Sequence, residues 1–345
     1  MSNSNLVESL IPILNNYQVR PYFVEEYGSI KKVYSDKGTF ALKRLDPATG
    51  TDFIRHVHQL YQKGFNRIVP IYPTMDGRYG VLYNKNLYYL MPWMPNEVKE
   101  DRQHRNQQLF RELARLHQLS TKEIKVSKEE RTEHYEKTIQ QFEKNQEFLD
   151  GFIDECEQKS YMSPFELCYC LYYNEISQAL RYSKARFEDW YEKTKENEKA
   201  RMVITHGKLS SEHFLYDEKG YGYFINFEKA NYGAPFHDLL PYLSRSLNTM
   251  PKRNDEVVEW VHHYLKYFPF KEDEKLLFYS YLAYPTPIIQ VVDRYFRKEQ
   301  PKNELKFVRQ LQRRYWHLKN AEYVVMQMTE MDNQAKQAKE GAQQQ

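Results

Sequence analysis

The rhythm of apolar and polar positions changes three times along the chain. Residues 5–16 space their apolar side chains as one face of a short amphipathic helix. From 21 to 45 the pattern turns to strand. "IKKVYS" and "TFALKRL" are β-rich runs separated by Asp36-Lys37-Gly38, which predicts a hairpin. "GTDFIRHVHQLYQKGF" predicts a helix closed by Gly64. "RIVPIYPT", "YGVLYN" and "LYYLMPWM" predict further short strands, giving, after the N-terminal helix, roughly five strands and one helix before residue 95.

Beyond Met94 the spacing is helical, with Leu109, Leu113 and Leu116 on one face. The long charged stretches 128–159 and 163–198 predict an antiparallel helix pair broken near Ser163-Pro164. Strand character returns only at 202–205, 213–217 and 222–227. From 235 to about 330 the pattern is helical, punctuated by Pro251, Pro269, Pro285, Pro287 and Pro301. The closing "MDNQAKQAKEGAQQQ" is of low complexity and is expected to be disordered. No internal repeat is found. The expected layout is α+β and bilobal: a β-rich lobe over 1–94, a helical lobe over 95–330 and a tail over 331–345.

Composition narrows the classes. A chain of 345 residues suits one large two-lobed domain or two domains. Tyrosine outnumbers phenylalanine, 30 to 19, which favours wet cores and protein contacts. The net charge is only +3 and no Lys/Arg stripe with interleaved aromatics occurs, so nucleic acid is not an expected partner. "RQLQRRYWHLK" at 309–319 reads as a solvated helix face. Cys156, Cys168 and Cys170 make no disulfide framework, and with no histidine at ligand spacing a zinc site is not expected. The first residues carry no basic n-region or cleavage site, and no run of 18 apolar residues occurs. The expectation is a chain made in a reducing cytosol, initially soluble, with no transmembrane segment.

One stretch carries chemistry. Phosphoryl transfer from ATP needs a lysine on the phosphates, carboxylates or an amide for Mg²⁺, and a carboxylate to orient the attacking hydroxyl. Lys43 in "FALKRL" is a candidate inward lysine. "HGKLSSEHF" stands where a catalytic loop belongs, "YFINFE" where a metal-binding strand belongs, and Asp238 opens the next helix.

Residues 203–240 resemble the aminoglycoside phosphotransferase and choline kinase superfamily, with its H-G-D-x-x-x-x-N loop, I-D-F/W-E strand and later D-L-x. "GTFALKRL", "QLYQKGFNRIVPIYPTMDGRYGVLYNKNLYYLMPWM" and "THGKLSSEHFLY" followed by "FINFEKANYGAPFHDLLPYL" resemble, within it, the CotS-like branch of Bacillus-type spore coat proteins, its YsxE-like members in particular. The likeness runs over roughly residues 17–330. It implies a kinase-like fold with a small β-rich N-lobe and a large helical C-lobe.

Carried over position by position, the loop histidine is His206 and the glycine Gly207. The catalytic aspartate falls on Lys208, the metal-binding asparagine on His213 and the metal-binding aspartate on Asn226. The following acid is Glu228 and the later aspartate Asp238. The helix after Lys43 offers no glutamate to pair with it; His58 and Gln59 are nearest. The local charge moves by about +3 with histidine neutral, and a lysine has no acceptor with which to take the hydroxyl proton. The resemblance therefore implies a pseudokinase in which His206, Gly207, Glu228 and Asp238 keep architecture while Lys208, His213 and Asn226 are vestigial catalytic positions.

Three readings stay open. In the first the chain is a non-enzymatic spore coat component, deposited from the mother-cell cytoplasm and engaging other coat proteins, with no cofactor and no metal. In the second Lys208, with Lys43, neutralises phosphates and binds ATP without metal. In the third a rearranged site using Glu212 and Glu228 keeps phosphotransferase activity on a small molecule or a coat protein. Lys336, Lys339 and the tail glutamines are candidate cross-linking positions.

Overall fold

The computed structural model describes residues 3–96, 102–247, 249–297 and 303–343. In chain order the elements are α1 (Asn3–Leu14), β1 (Pro21–Tyr27), β2 (Ile30–Ser35), β3 (Gly38–Leu45), α2 (Phe53–Gln62), β4 (Val81–Tyr83), β5 (Asn86–Pro92) and α3 (Arg102–Ser120). There follow β6 (Lys122–Lys125), α4 (Lys128–Glu157), α5 (Pro164–Thr194), β7 (Lys199–Thr205), β8 (Phe214–Tyr216), β9 (Gly222–Phe224) and β10 (Asn231–Gly233). The chain closes with α6 (Phe236–Ser246), α7 (Asp255–Tyr267), α8 (Glu272–Ala283), α9 (Thr286–Phe296) and α10 (Glu304–Gln343). A small antiparallel sheet comes first and helices dominate afterwards, the α+β class expected from the pattern.

Contacts divide the chain into Met1–Thr121 with Val203–Asp238, and Lys122–Met202 with Leu239–Gln345. The division does not fall at residue 94: the loop-and-hairpin stretch 203–238 belongs with the sheet. The reason is backbone pairing, since Phe224 exchanges hydrogen bonds with Arg67 and Val69, each at 2.9 Å.

In the first unit the strands lie in the order β1-β2-β3-β5-β4, all antiparallel. The expected hairpin at 36–38 forms, with Ser35 opposite Gly38. Alternation sorts the faces. Val24, Val33, Leu42 and Leu90 point to the side covered by Leu10, Ile13 and Leu14 of α1, and that cluster is the core. Lys43 therefore points to the opposite side, as does Tyr89, its direct partner across β3 and β5. α2 ends as expected: Gly64 takes φ +82°, its N–H bonds Tyr61 O, and the Phe65 N–H reaches back to Leu60 O, both at 2.9 Å.

Two strand expectations are corrected. "RIVPIYPT" makes only isolated bridges, Ile68 to Phe224 and Tyr72 to Leu90. Pro70 and Pro73 lack the N–H groups that a ladder needs. Residues 225–227 do not continue β9 either, because Asn226 adopts a left-handed conformation, φ +67° and ψ 49°, ahead of a short 3₁₀ turn.

In the second unit α4 and α5 form the expected antiparallel pair. Ser127 with Glu130 and Ser163 with Glu166 make capping boxes, and Pro164 occupies the first helical position of α5. Phe152, Phe165, Tyr169, Ile176, Phe187 and Trp190 pack with Val292, Tyr295 and Leu311 in one core. α10 continues to Gln343, through the stretch expected to be disordered. Asp332 accepts from Lys275 Nζ and Tyr279 OH, both at 2.8 Å, and Lys336 pairs with Glu272 at 3.2 Å. These contacts hold the helix beyond the low-complexity boundary. The side chain of Lys339 lies outside the described residues.

Candidate functional site

The site is assembled within the first unit, from the inward face of β3–β5 and the loop after β7. Lys43 is buried, 8% exposed. Its ammonium donates to Asn226 Oδ1 and to Glu228 Oε1, the latter at 2.5 Å. Tyr89 OH donates to the same Glu228 oxygen at 2.5 Å. Sequence reading missed Tyr89; strand register was the signal, since the residue opposite Lys43 must share its face.

The helix after the lysine does not supply its partner. Gln59 accepts from Tyr232 OH at 2.8 Å, and the His58 ring packs edge-on to Tyr79 at 4.5 Å. Glu228 takes that role instead. Burial alone would raise the Glu228 carboxyl, but Lys43 and Tyr89 hold it below its ordinary value. Burial pulls the Lys43 ammonium down from its ordinary value, with Glu228 opposing.

The loop is fixed from beneath by Asp238. Its Oδ2 accepts from the His206 N–H at 2.6 Å and lies 3.2 Å from His117 Nε2; its Oδ1 accepts from the Gly207 N–H at 2.8 Å. Burial would push this carboxyl up, yet the His117 contact and the His206 amide keep it below its ordinary value. His117 on α3 was not singled out from sequence, because nothing local marks a histidine 121 residues away as a partner. Gly207 has φ +74°, and a Cβ there would stand 2.1 Å from Lys229 O, so only glycine fits.

His206 is fully buried. Its Nε2–H donates to Ile225 O at 2.7 Å and its Nδ1 accepts from the Lys208 N–H at 3.2 Å. Both nitrogens are committed in one neutral tautomer, and burial lowers its pKa. His213 Nδ1–H donates to Lys208 O at 2.8 Å, and Ile225 N–H to His213 O at 3.0 Å. His213 thus closes the loop; burial first, then the Lys208 charge, lowers its pKa.

Lys208 is exposed, and among the described residues its ammonium makes no hydrogen bond or ion pair. Its charge is felt at Lys43 and His213. In the same unit a cavity of about 400 Å³ is lined chiefly by Ala41, Met91, Trp93, Leu215 and Ile225, with Glu212 at the wall and without Lys208. The Glu212 carboxylate is exposed and, among the described residues, unpaired.

These residues do not fit a magnesium ion, which wants an octahedron of hard oxygen ligands, carboxylates above all. Lys208 offers an ammonium, His213 an imidazole already tied to the loop, and Asn226 an amide oxygen already taken by Lys43. Glu228, the nearest acid, is engaged by Lys43 and Tyr89. Among the described residues no group of three or more His, Cys, Asp or Glu is placed to hold a metal ion.

The fold that carries these parts has counterparts among solved structures. The structure is similar to an aminoglycoside phosphotransferase from Alicyclobacillus acidocaldarius subsp. acidocaldarius DSM 446, with a TM-score of 0.66 at 16% identity, covering 90% of this chain and 93% of that one. It is similar also to the spectinomycin phosphotransferase APH(9)-Ia in complex with ADP and spectinomycin, with a TM-score of 0.52 at 13% identity, covering 94% and 99%. At these identities the likeness establishes the fold, bilobal and protein-kinase-like. No curated protein sequence matches the chain. The model of the phosphotransferase enzyme family (APH) matches residues 29–276, from β2 through the loop to α8. With that match spanning most of the chain and the loop, strand and lysine in family order, the protein belongs to the APH phosphotransferase family.

Proposed function

We propose that the protein is a catalytically degenerate member of this family, a pseudokinase that acts as an interaction module. The observation that carries the reading is the Lys43 ammonium bonded to Glu228 and to Asn226, the residue at the position of the family's metal-binding acid. Lys208 at the base position supports it, since an ammonium cannot accept the hydroxyl proton. The resemblance to CotS-like proteins supports a place in the spore coat, reached from the mother-cell cytoplasm, with other coat proteins as partners. No helix among the described residues is long and apolar enough to cross a membrane.

The test is phosphotransfer from radiolabelled ATP with Mg²⁺ or Mn²⁺, with Glu212→Gln as control. The expected result is no transfer. Label transfer lost in Glu212→Gln would replace this reading with the rearranged-site enzyme, which the unpaired Glu212 carboxylate at the cavity wall favours.

Nucleotide binding without metal is compatible with the pseudokinase reading. The exposed Lys208 ammonium supports it, and the related APH(9)-Ia has been seen with ADP and AMP. A thermal-shift titration with ATP in EDTA checks it. A shift that persists in EDTA and vanishes in Lys208→Ala supports it, no shift in either condition supports a pure scaffold, and a shift that requires Mg²⁺ contradicts both.

A further inference from the structure

We propose that the second unit carries a binding site for a small apolar molecule with a primary ammonium group, in a cavity bounded by α5, α8 and α10. The cavity measures about 310 Å³, within the range of ligand pockets. It shares no residue with the stretch 203–238 and does not depend on the proposed function. Its origin is side-chain size. Glu175, Gln178, Ala179 and Tyr182 share one face of α5 by their spacing, as Leu318, Glu322, Val325 and Met326 do on α10. Ala179, and Ala283 at the end of α8, are too short to fill the gap where these faces meet. Contacts around the gap hold it open. Tyr172 stacks on Tyr315, with centroids 3.8 Å apart and planes at 8°, and fixes α5 against α10. Ser280 Oγ donates to Ser183 O at 2.8 Å and fixes α8 against α5. Asp332 ties α10 to α8 through Lys275 and Tyr279. Closing the gap would strain or break these contacts.

The lining asks for two different parts in one ligand. Leu318, Val325 and Ala283 are buried and, with the Tyr182 ring, form apolar walls. The acids supply charge. Glu175 Oε2 accepts from Tyr315 OH at 2.6 Å, and the Lys319 ammonium lies 3.4 Å from that oxygen and 2.7 Å from Glu322 Oε2. Oε1 of each acid makes no hydrogen bond among the described residues, and neither does the Gln178 side chain. Two carboxylates against the one Lys319 ammonium leave one negative charge, the complement of a monocation. The Arg186 guanidinium on the Tyr182 ring is balanced by Asp189.

A primary ammonium brings three N–H donors to acceptors that lack one: the two Oε1 atoms and the Gln178 carbonyl. A quaternary ammonium has no donor to give. A sugar-like polycation is unsuited, since its hydroxyls would face carbon along the walls. Entry is past Met326, which is largely exposed and whose unbranched thioether adapts to what passes it. A bound ligand covers the apolar walls and joins α5 to α10 through its ammonium, so it stabilises the folded unit by mass action.

The experiment is a saturation-transfer NMR titration of the full-length protein with three probes. Phenethylamine carries both parts, 3-phenylpropionate the same body with an anionic head, and methylamine the head alone. The expected result is saturable binding of phenethylamine, with the other two at least about tenfold weaker. The Glu175→Gln/Glu322→Gln double variant should weaken phenethylamine by at least about tenfold, and Ala179→Leu, which fills the cavity, should abolish its binding. The double variant spares the fold, because both acids are partly exposed and glutamine still accepts from Tyr315 OH. Far-UV circular dichroism and urea midpoints check each variant. No saturable binding of phenethylamine by the wild type overturns the proposal. So does 3-phenylpropionate bound as tightly as the amine, amine binding unchanged in the double variant, or binding kept in folded Ala179→Leu.

Discussion

Lys43 on β3 and Glu228 beyond β9 form a buried ion pair between residues 185 positions apart in sequence, 2.5 Å between Nζ and Oε1. Their side chains are 10% and 11% exposed. Removing one partner leaves a buried charge uncompensated, whereas removing both does not.

Lys43→Met and Glu228→Gln should therefore each destabilise by about 3–5 kcal/mol, and the double variant by less than either single change. Urea unfolding of the four proteins gives the coupling. Additive losses would mean that the two groups do not act as a pair.

Gly207→Ala should cost about 2–4 kcal/mol, because it adds a left-handed alanine and drives its Cβ into Lys229 O. Chemical denaturation reads the loss. A substitution within 0.5 kcal/mol of neutral, the range of a plain surface change, would show that the loop moves freely away from Lys229.

Acid should weaken the fold in two stages. His206, His213 and His237 have folded pKa values lowered by burial from 6.5, so the unfolded chain binds more protons as pH falls below that value. Stability then drops with falling pH by at most about 1.4 kcal/mol per pH unit for each histidine. Glu228 and Asp238 are lowered from 4.5 and 3.8, so their stabilisation is complete above those values and is lost as pH falls through the lower folded values. Urea midpoints measured from pH 8 to pH 3 should be flat above neutrality and fall in both ranges. A midpoint unchanged between pH 7 and pH 5 contradicts the buried neutral histidines.

Asn226→Asp alone should raise the thermal midpoint by a few degrees, because Lys43 gains a second carboxylate, and the rise should ignore magnesium. With Lys208→Asp and His213→Asn added, the midpoint should become sensitive to Mg²⁺ with ATP. Scanning fluorimetry with and without EDTA separates the cases. A magnesium-dependent rise in the single variant would mean that Lys43 is not what keeps a metal from this seat.

The sequence was legible where chemistry is local. Helix boundaries at Ser127, Ser163 and Gly64 follow from side chains that bond their own backbone or tolerate positive φ. His206, Lys208 and Asn226 are singled out by the resemblance of one loop and hairpin to the family's motifs. Tyr89 and His117 were not legible, because their roles depend on strand register and on packing between distant segments. The stretch 67–74 misled because its apolar alternation is real while its two prolines deny it a ladder. The tail misled because composition cannot register that Asp332 meets Lys275 and Tyr279.

That last contact has a mechanical consequence. At 1.5 Å per residue, the 40 residues of α10 make a rod of about 60 Å. Lys336 is carried on that rod and anchored to Glu272, so a covalent bond made at its amine would attach to a strut with a fixed bearing. Load placed there would pass along the helix toward Leu311, Leu318 and the aromatic core rather than being absorbed by a slack tether.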